Sequence, residues 1–142
     1  MKSTLTTLIL IFAFFNVEAQ LEKVLHQTFE IGEVENINLD FYGEYKIEPW
    51  AGNTVMTETQ IRLTDASPAI LKHFVEKAKR YDVVLDLDET TASFSSHDKE
   101  RRTIESKYGQ CYEEINMRIF VPDSYDIVNE KSLVRKEKNT DE

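Results

Sequence analysis

The strongest constraint on the fold is an alternation of apolar and polar residues, with a period of two, that runs from Phe29 to Leu63. Its longest run places five residues on one side of the chain: Val55, Thr57, Thr59, Ile61 and Leu63. A strand with one buried face has this pattern, because successive side chains point to opposite faces of a sheet. Turn residues at Gly43 and at 51–53 divide the segment. The sequence therefore predicts three consecutive antiparallel strands joined by short turns, a β-meander.

A change of period predicts one helix at about residues 67–81. Six apolar residues recur at helical spacing there: Ile70, Leu71, Phe74, Val75, Ala78 and Tyr81. Ser67 is a suitable N-cap, and Pro68 fits the first helical position, where no backbone donor is needed. The predicted fold class is α+β, mainly β: an antiparallel sheet with one inserted amphipathic helix packed on it.

Further strands are predicted at 82–88, at 112–121 and, more weakly, at 125–128. The polar segment 89–110 has no period and is predicted to be an exposed loop. Cys111 is the only cysteine, so it forms no intramolecular disulfide. It shares the parity of the inward-facing residues of the following strand, which predicts a buried thiol that packs as a small hydrophobic side chain.

The first 19 residues have the features of a secretory signal peptide. A short cationic region at Lys2 precedes an apolar run from Leu8 to Phe15, and small residues lead to a cleavage point after Ala19. The run is shorter than the roughly 20 residues that cross a bilayer. The sequence predicts a secreted protein (periplasm, cell surface or medium) with no membrane insertion after cleavage, a single domain at 20–128 and a charged, flexible tail at 129–142.

Charge and motif content narrow the functional classes. The net charge of −9 argues against nucleic acid as a partner. Asp86 and Asp88 alternate on a predicted strand, so they share a face and are candidate ligands for a divalent cation. The segment does not fit an EF-hand, because Thr91 and His97 stand where glycine and glutamate are required.

No catalytic or cofactor motif is legible in the sequence. Residues 95–98 contain serine, histidine and aspartate, but no nucleophile elbow accompanies them. The prediction is that the protein is not an enzyme and has no catalytic residues and no cofactor.

A set of residues between about 28 and 128 has the strand and turn order of a secreted protein family. They are Phe29-Glu30-Ile31, Val34, Ile37-Asn38-Leu39-Asp40, Gly43, Ile47, Trp50, Gly52-Asn53, Val55 and Ile119-Phe120-Val121-Pro122. This order resembles the N-terminal part of bacterial adhesins of the β-solenoid type, common in Bacteroidetes-type envelopes. The resemblance implies that the sheet forms the cap of a solenoid, and it supplies no catalytic residues.

Together these features predict a non-catalytic, exported structural or interaction module of the bacterial cell envelope, similar to an adhesin. Such a module would bind a protein partner or self-associate through an open sheet edge. The alternative is a module that binds a small ligand or a divalent cation, and a hydrolase is the third possibility.

Overall fold

The computed structural model describes residues 20–138, so the predicted signal peptide and the last four residues lie outside the described part. Its strands are β1 (Leu21–Glu30), β2 (Asn36–Asp40), β3 (Tyr45–Trp50), β4 (Thr54–Thr64), β5 (Val83–Leu87), β6 (Thr91–Ser96), β7 (Ile104–Ser106), β8 (Gly109–Pro122), β9 (Tyr125–Asn129) and β10 (Ser132–Arg135). Between β4 and β5 lies the helix α1 (Pro68–Lys72), which continues as one π-helical turn, His73–Lys77.

The strands form two sheets. The first has the order β1-β4-β8-β3, with β7 paired to β8, and the second has the order β5-β6-β2-β10-β9. Two pairings, β2 with β6 and β3 with β8, are parallel, and the others are antiparallel. The predicted fold class, mainly β with one short helix, is confirmed. No helix among residues 20–138 is long and apolar enough to cross a membrane.

The three strands predicted from residues 29–63 do not pair with one another as a meander would. Strand β2 belongs to the second sheet, β3 pairs with β8, and β4 lies between β1 and β8. The chain changes sheet between β2 and β3, where Gly43 has a φ of +83° that glycine adopts without strain. Periodicity identifies which face of a strand is buried, but it does not identify the neighbouring strand, and this is why the predicted order is wrong.

The two sheets pack face to face around one main core. Its buried members come from both sheets and include Ile37, Leu39, Phe94 and Leu133 from the second and Val55, Ile119 and Val121 from the first. Apolar burial of this extent is the main favourable term in folding. The inward alternation predicted for β4 and β8 is confirmed by their burial patterns.

The helix covers a second, smaller core at the other end of β4 and β8. Ser67 caps it, because its hydroxyl oxygen accepts a hydrogen bond from the N–H of Ile70 at 3.4 Å. The helix is shorter than predicted, since Lys79 adopts a left-handed φ of +53° and the chain turns there. Tyr81 then enters this core beside Cys111, whose predicted burial is confirmed.

Two polar segments are more ordered than the sequence predicts. The predicted loop 89–110 contains β6, which lies inside the second sheet, and the short strand β7. The predicted flexible tail 129–142 contains β10, whose Leu133 is fully buried in the main core. In both segments alternate residues pack inward, and tertiary contacts outweigh a polar composition.

Candidate functional site

A largely buried cluster of polar and charged side chains joins three parts of the chain. These are the segment after the helix, the connection between β6 and β7, and strand β8. Its members, which we call the arginine cluster, are Arg80, Tyr81, Asp98, Arg101 and Glu113. The carboxylate of Glu113 accepts hydrogen bonds from Arg80 Nε at 2.9 Å and Nη2 at 3.2 Å, and from the Tyr81 hydroxyl at 2.7 Å. Arg80 Nη1 also donates to Asp98 Oδ2 at 3.1 Å. Bidentate, charge-assisted contacts of this kind fix geometry strongly.

The arginine cluster holds charges in place and is poorly suited to proton transfer. Burial raises the pKa of Tyr81 far above its usual value, and the adjacent Glu113 carboxylate raises it further. Burial alone would lower the pKa of Arg80, but the hydrogen bonds and charge of Glu113 leave it raised. Neither group titrates near neutral pH, where a general acid or base must do so.

Arg101 is the strained member of the cluster. Its side chain is 3% exposed, and its Nε and Nη1 have no hydrogen-bond partner among residues 20–138. Its guanidinium lies 5.3 Å from the ring of Tyr81 and 5.4 Å from the ring of Tyr42, and its backbone φ is +45°. Burial lowers the pKa of Arg101. Buried unpaired donors cost about 1–3 kcal/mol. The Glu113 carboxylate, 3.8 Å from Nη1, and the two tyrosine rings are the favourable contacts that oppose this cost.

Asp98 gives the cluster a dependence on pH. Burial tends to raise the pKa of Asp98, but the N–H groups of Arg101 and Glu100, each 3.1 Å from Oδ1, and the charge of Arg80 hold it below its usual value. A carboxylate of this kind stabilises the fold above its unfolded pKa, near 4, and this stabilisation is lost as the pH falls through the folded pKa.

We therefore expect Asp98→Asn to lower the free energy of unfolding at pH 7 and to flatten its fall between pH 6 and pH 3. Urea denaturation across that range measures both effects. Asp86→Asn is the control, because this carboxylate is exposed on β5. An acid dependence equal to that of the parent protein would contradict the role assigned to Asp98.

Strand β9 leaves one edge of the second sheet open. We call Tyr125–Asn129 the β9 edge. The N–H of Lys136 donates to the carbonyl of Ser124 at 2.9 Å, so these two residues form a hydrogen-bonded pair. The next pair along the ladder is Arg135 with Tyr125. Hydrogen-bonded and non-hydrogen-bonded pairs alternate along an antiparallel ladder. The backbone groups of Tyr125 and Ile127 therefore point away from β10, towards the free side of the strand.

The β9 edge is also apolar. Ile127 is 47% exposed and Val128 is 62% exposed, and Val134 on the neighbouring β10 is 42% exposed. The first residue of the edge is anchored in the core, because the hydroxyl of the buried Tyr125 donates a hydrogen bond to the carbonyl of Val34 at 2.6 Å. The edge is thus a short, anchored strand with free backbone groups and exposed aliphatic side chains.

The other sheet edges carry features that oppose pairing. The side chain of Gln27 covers the start of the β5 edge: its Oε1 accepts from the N–H of Val83 at 2.8 Å, and its Nε2 donates to the carbonyl of the same residue at 3.3 Å. Strand β3 contains Pro49, which has no N–H to donate. Strand β1 carries the charged residues Glu22 and Lys23. Charges and proline are common means of blocking sheet edges.

A cleft of about 720 Å³ lies between the start of the helix and the β7–β8 hairpin. We call it the hairpin cleft. Nine residues line it: Asp65, Ala66, Ser67, Ile70, Glu105, Ser106, Lys107, Tyr108 and Gln110. Its size falls within the range of small-ligand sites. The sequence analysis missed this cleft because its two walls are distant in the chain and only the fold brings them together.

The two predicted cation ligands lie near the end of β5, Asp86 within the strand and Asp88 just after it. Asp88 Oδ1 accepts hydrogen bonds from the N–H groups of Thr90 and Thr91, both at 2.8 Å, which lower the pKa of Asp88. Asp86 is exposed on β5. Within residues 20–138, no group of three histidine, cysteine, aspartate or glutamate side chains is arranged to hold a metal ion. Asp88 therefore has a structural role, as the residue that closes the β5–β6 turn.

The residues of the sequence segment 95–98 separate in the fold. Ser96 is buried and its Oγ accepts from the N–H of Tyr42 at 2.9 Å, while Asp98 belongs to the arginine cluster. His97 is exposed. Ser96 and Asp98 thus make different local contacts.

No protein-family model, curated protein or solved structure gives a significant match to this sequence.

Proposed function

We propose that the protein is an exported, non-catalytic interaction module of the bacterial cell envelope, similar to an adhesin, that self-associates through the β9 edge. The observation that carries this proposal is the β9 edge itself, with its free backbone groups and exposed Ile127 and Val128. Export rests on the signal-peptide features of residues 1–19. The proposed partner is a second copy of this chain.

The geometry of β9 suits antiparallel pairing about a two-fold axis centred on Ile127. In that register Ile127 faces its own copy, and Asp126 faces Val128 of the second copy. No carboxylate then lies directly opposite another carboxylate, which would destabilise the pair. Lys136 Nζ also lies 3.8 Å from Asp126 Oδ1, so a positive charge partly balances this carboxylate at the interface. The pairing would join two five-stranded sheets into one continuous sheet.

Size-exclusion chromatography with light scattering, on the chain from Gln20 to Glu142, tests the proposal. We expect a dimer whose fraction rises with concentration. We expect Val128→Asp to weaken dimerisation roughly thirty-fold, because in this register each new carboxylate lies directly opposite Asp126 of the other copy, at a cost of about 1 kcal/mol for each of the two pairs. A charged side chain on an exposed edge also opposes strand pairing directly.

Two further variants make the test specific. Val84→Asp is the matched control: Val84 is 42% exposed on β5, the opposite edge of the same sheet, and this variant should dimerise normally. Ile127→Pro removes an outward N–H without removing a bond to β10, and it should be monomeric. A parent protein that stays monomeric at all concentrations, or an equal effect of the two aspartate variants, would overturn the proposal.

A further inference from the structure

The hairpin cleft combines an exposed aromatic ring with polar side chains that other residues leave available. Tyr108 is 86% exposed at the tip of the β7–β8 hairpin, the highest value among the exposed large apolar residues of the described chain. Within residues 20–138, the side chains of Asp65, Glu105 and Gln110 make no hydrogen bond or ion pair. An exposed aromatic ring next to several unused polar groups is typical of a ligand site with an apolar contact surface and a few orienting hydrogen bonds.

Local hydrogen bonds fix both walls of the cleft. On the hairpin side, Ser106 Oγ accepts from the N–H of Tyr108 at 3.1 Å and donates to the carbonyl of Gly109 at 3.2 Å. On the helix side, the Sγ of the buried Cys111 donates to the carbonyl of Asp65 at 3.1 Å. Asp65 itself has a left-handed φ of +60°. The cleft is therefore preformed, which lowers the entropy cost of binding a ligand.

The polar groups of the cleft define what it would accept. Two carboxylates, Asp65 and Glu105, accept hydrogen bonds only, whereas the amide of Gln110 both accepts and donates. Lys107 is the one cation, and its Nζ lies 4.8 Å from the centre of the Tyr108 ring, over one face. The formal charge of the cleft is negative in a chain of net charge −9, so anions are disfavoured.

The chemistry therefore favours an uncharged ligand with many hydroxyl groups and one apolar face. Hydroxyl groups donate to the carboxylates and also accept from Gln110 and Lys107. The apolar C–H face of a pyranose ring would pack on the free face of Tyr108, while Ala66 and Ile70 form an apolar floor. A cleft of about 720 Å³ is within the volume range of small-ligand sites and is large enough for a short oligosaccharide of roughly two to three rings.

We infer that the hairpin cleft is a binding site for a neutral oligosaccharide, with Tyr108 as the stacking platform and Asp65, Glu105 and Gln110 as hydrogen-bonding groups. This inference is independent of self-association, because the cleft is lined by the helix start and the β7–β8 hairpin and the β9 edge contributes no residue to it.

Titration of the ¹⁵N-labelled chain from Gln20 to Glu142 tests the inference. The probes are neutral trisaccharides of glucose, mannose, xylose and N-acetylglucosamine, with glucuronic acid as the charged comparison. We expect at least one neutral trisaccharide to shift the amide resonances of 65–70 and 105–110, and glucuronic acid to bind more weakly. Failure of all four neutral sugars to shift these resonances would overturn the inference.

Variants separate a ligand contact from a structural effect. Tyr108→Ala should weaken binding about five-fold through loss of the stacking contact, and Gln110→Ala should weaken it about three-fold. Tyr112→Ala is the matched control, because Tyr112 is 61% exposed on the adjoining strand β8 but does not line the cleft. Val128→Asp should leave sugar binding unchanged. Equal losses in the Tyr108 and Tyr112 variants would contradict the assigned contact.

Discussion

Replacement of Glu113 by alanine is expected to lower the free energy of unfolding by about 3–5 kcal/mol, which is the usual cost of removing one partner from a buried ion pair. Glu113 accepts three hydrogen bonds from Arg80 and Tyr81, and the Arg80 side chain is only 5% exposed. Without this carboxylate, Arg80 keeps one ion pair, to Asp98, and Arg101 loses the carboxylate nearest to its guanidinium. A loss of this size is a large part of the stability of a domain.

Urea denaturation of the parent protein and the variant measures this effect. Glu114→Ala is the matched control: Glu114 is the next residue on β8, its side chain is 58% exposed, and its ion pair with Arg62 lies at the surface. Exposed pairs contribute about 0–1 kcal/mol, so this variant should retain almost all of the stability. If the two alanine variants lost the same amount, the arginine cluster would not have the structural role that we assign to it.

The arginine cluster shows why sequence patterns locate charged cores poorly. The helix was predicted to continue to residue 81, which would place Arg80 in its last turn as a favourable cation at the dipole. Instead Lys79 turns the chain and Arg80 is buried against Glu113 on a strand more than thirty residues away. Arg101 lies in a run of charged residues that is typical of an exposed loop. Only tertiary contacts make these residues compatible with burial.

Strands with large apolar residues were predicted well, and strands with small polar residues were not. The alternation in β4 and β8, the N-cap at Ser67 and the buried parity of Cys111 all follow from local physical rules. Strand β6 was missed because two of its three inward residues, Ala92 and Ser96, are small, and only Phe94 has substantial apolar bulk. Its place inside the second sheet depends on its neighbours.

The candidate sites likewise depend more on long-range contacts than on local sequence patterns. An open sheet edge was expected in general terms, but the sequence could not show that β9 would be that edge, because the strand order depends on long-range pairing. The hairpin cleft combines residues 65–70 with residues 105–110, and neither segment has a recognisable motif. The acidic alternation at Asp86 and Asp88 was visible in the sequence, yet Asp88 is used within its own turn.

Replacement of Leu133 by alanine is expected to lower the free energy of unfolding by about 2–5 kcal/mol, the range measured for leucine-to-alanine changes in well-packed cores. Leu133 is fully buried and belongs to the main core, although it lies in a stretch whose charged composition predicts a flexible tail. Strand β10 joins β9 to β2, so the β9 edge depends on the position of β10. A cavity at Leu133 should therefore weaken both the fold and the self-association that we propose.

Val134→Ala provides the comparison for this prediction, because Val134 is the next residue and is 42% exposed on the outer face of β10. Its truncation removes little buried area, and we expect a loss below about 0.5 kcal/mol. Hydrogen exchange adds a second measurement: the amides of Leu133 and Arg135, which face β2, should be protected in the parent protein. Equal stability of the two alanine variants, together with unprotected amides, would mean that β10 is not docked in solution. The second sheet would then end at β2, and strand β2, not β9, would present the open edge.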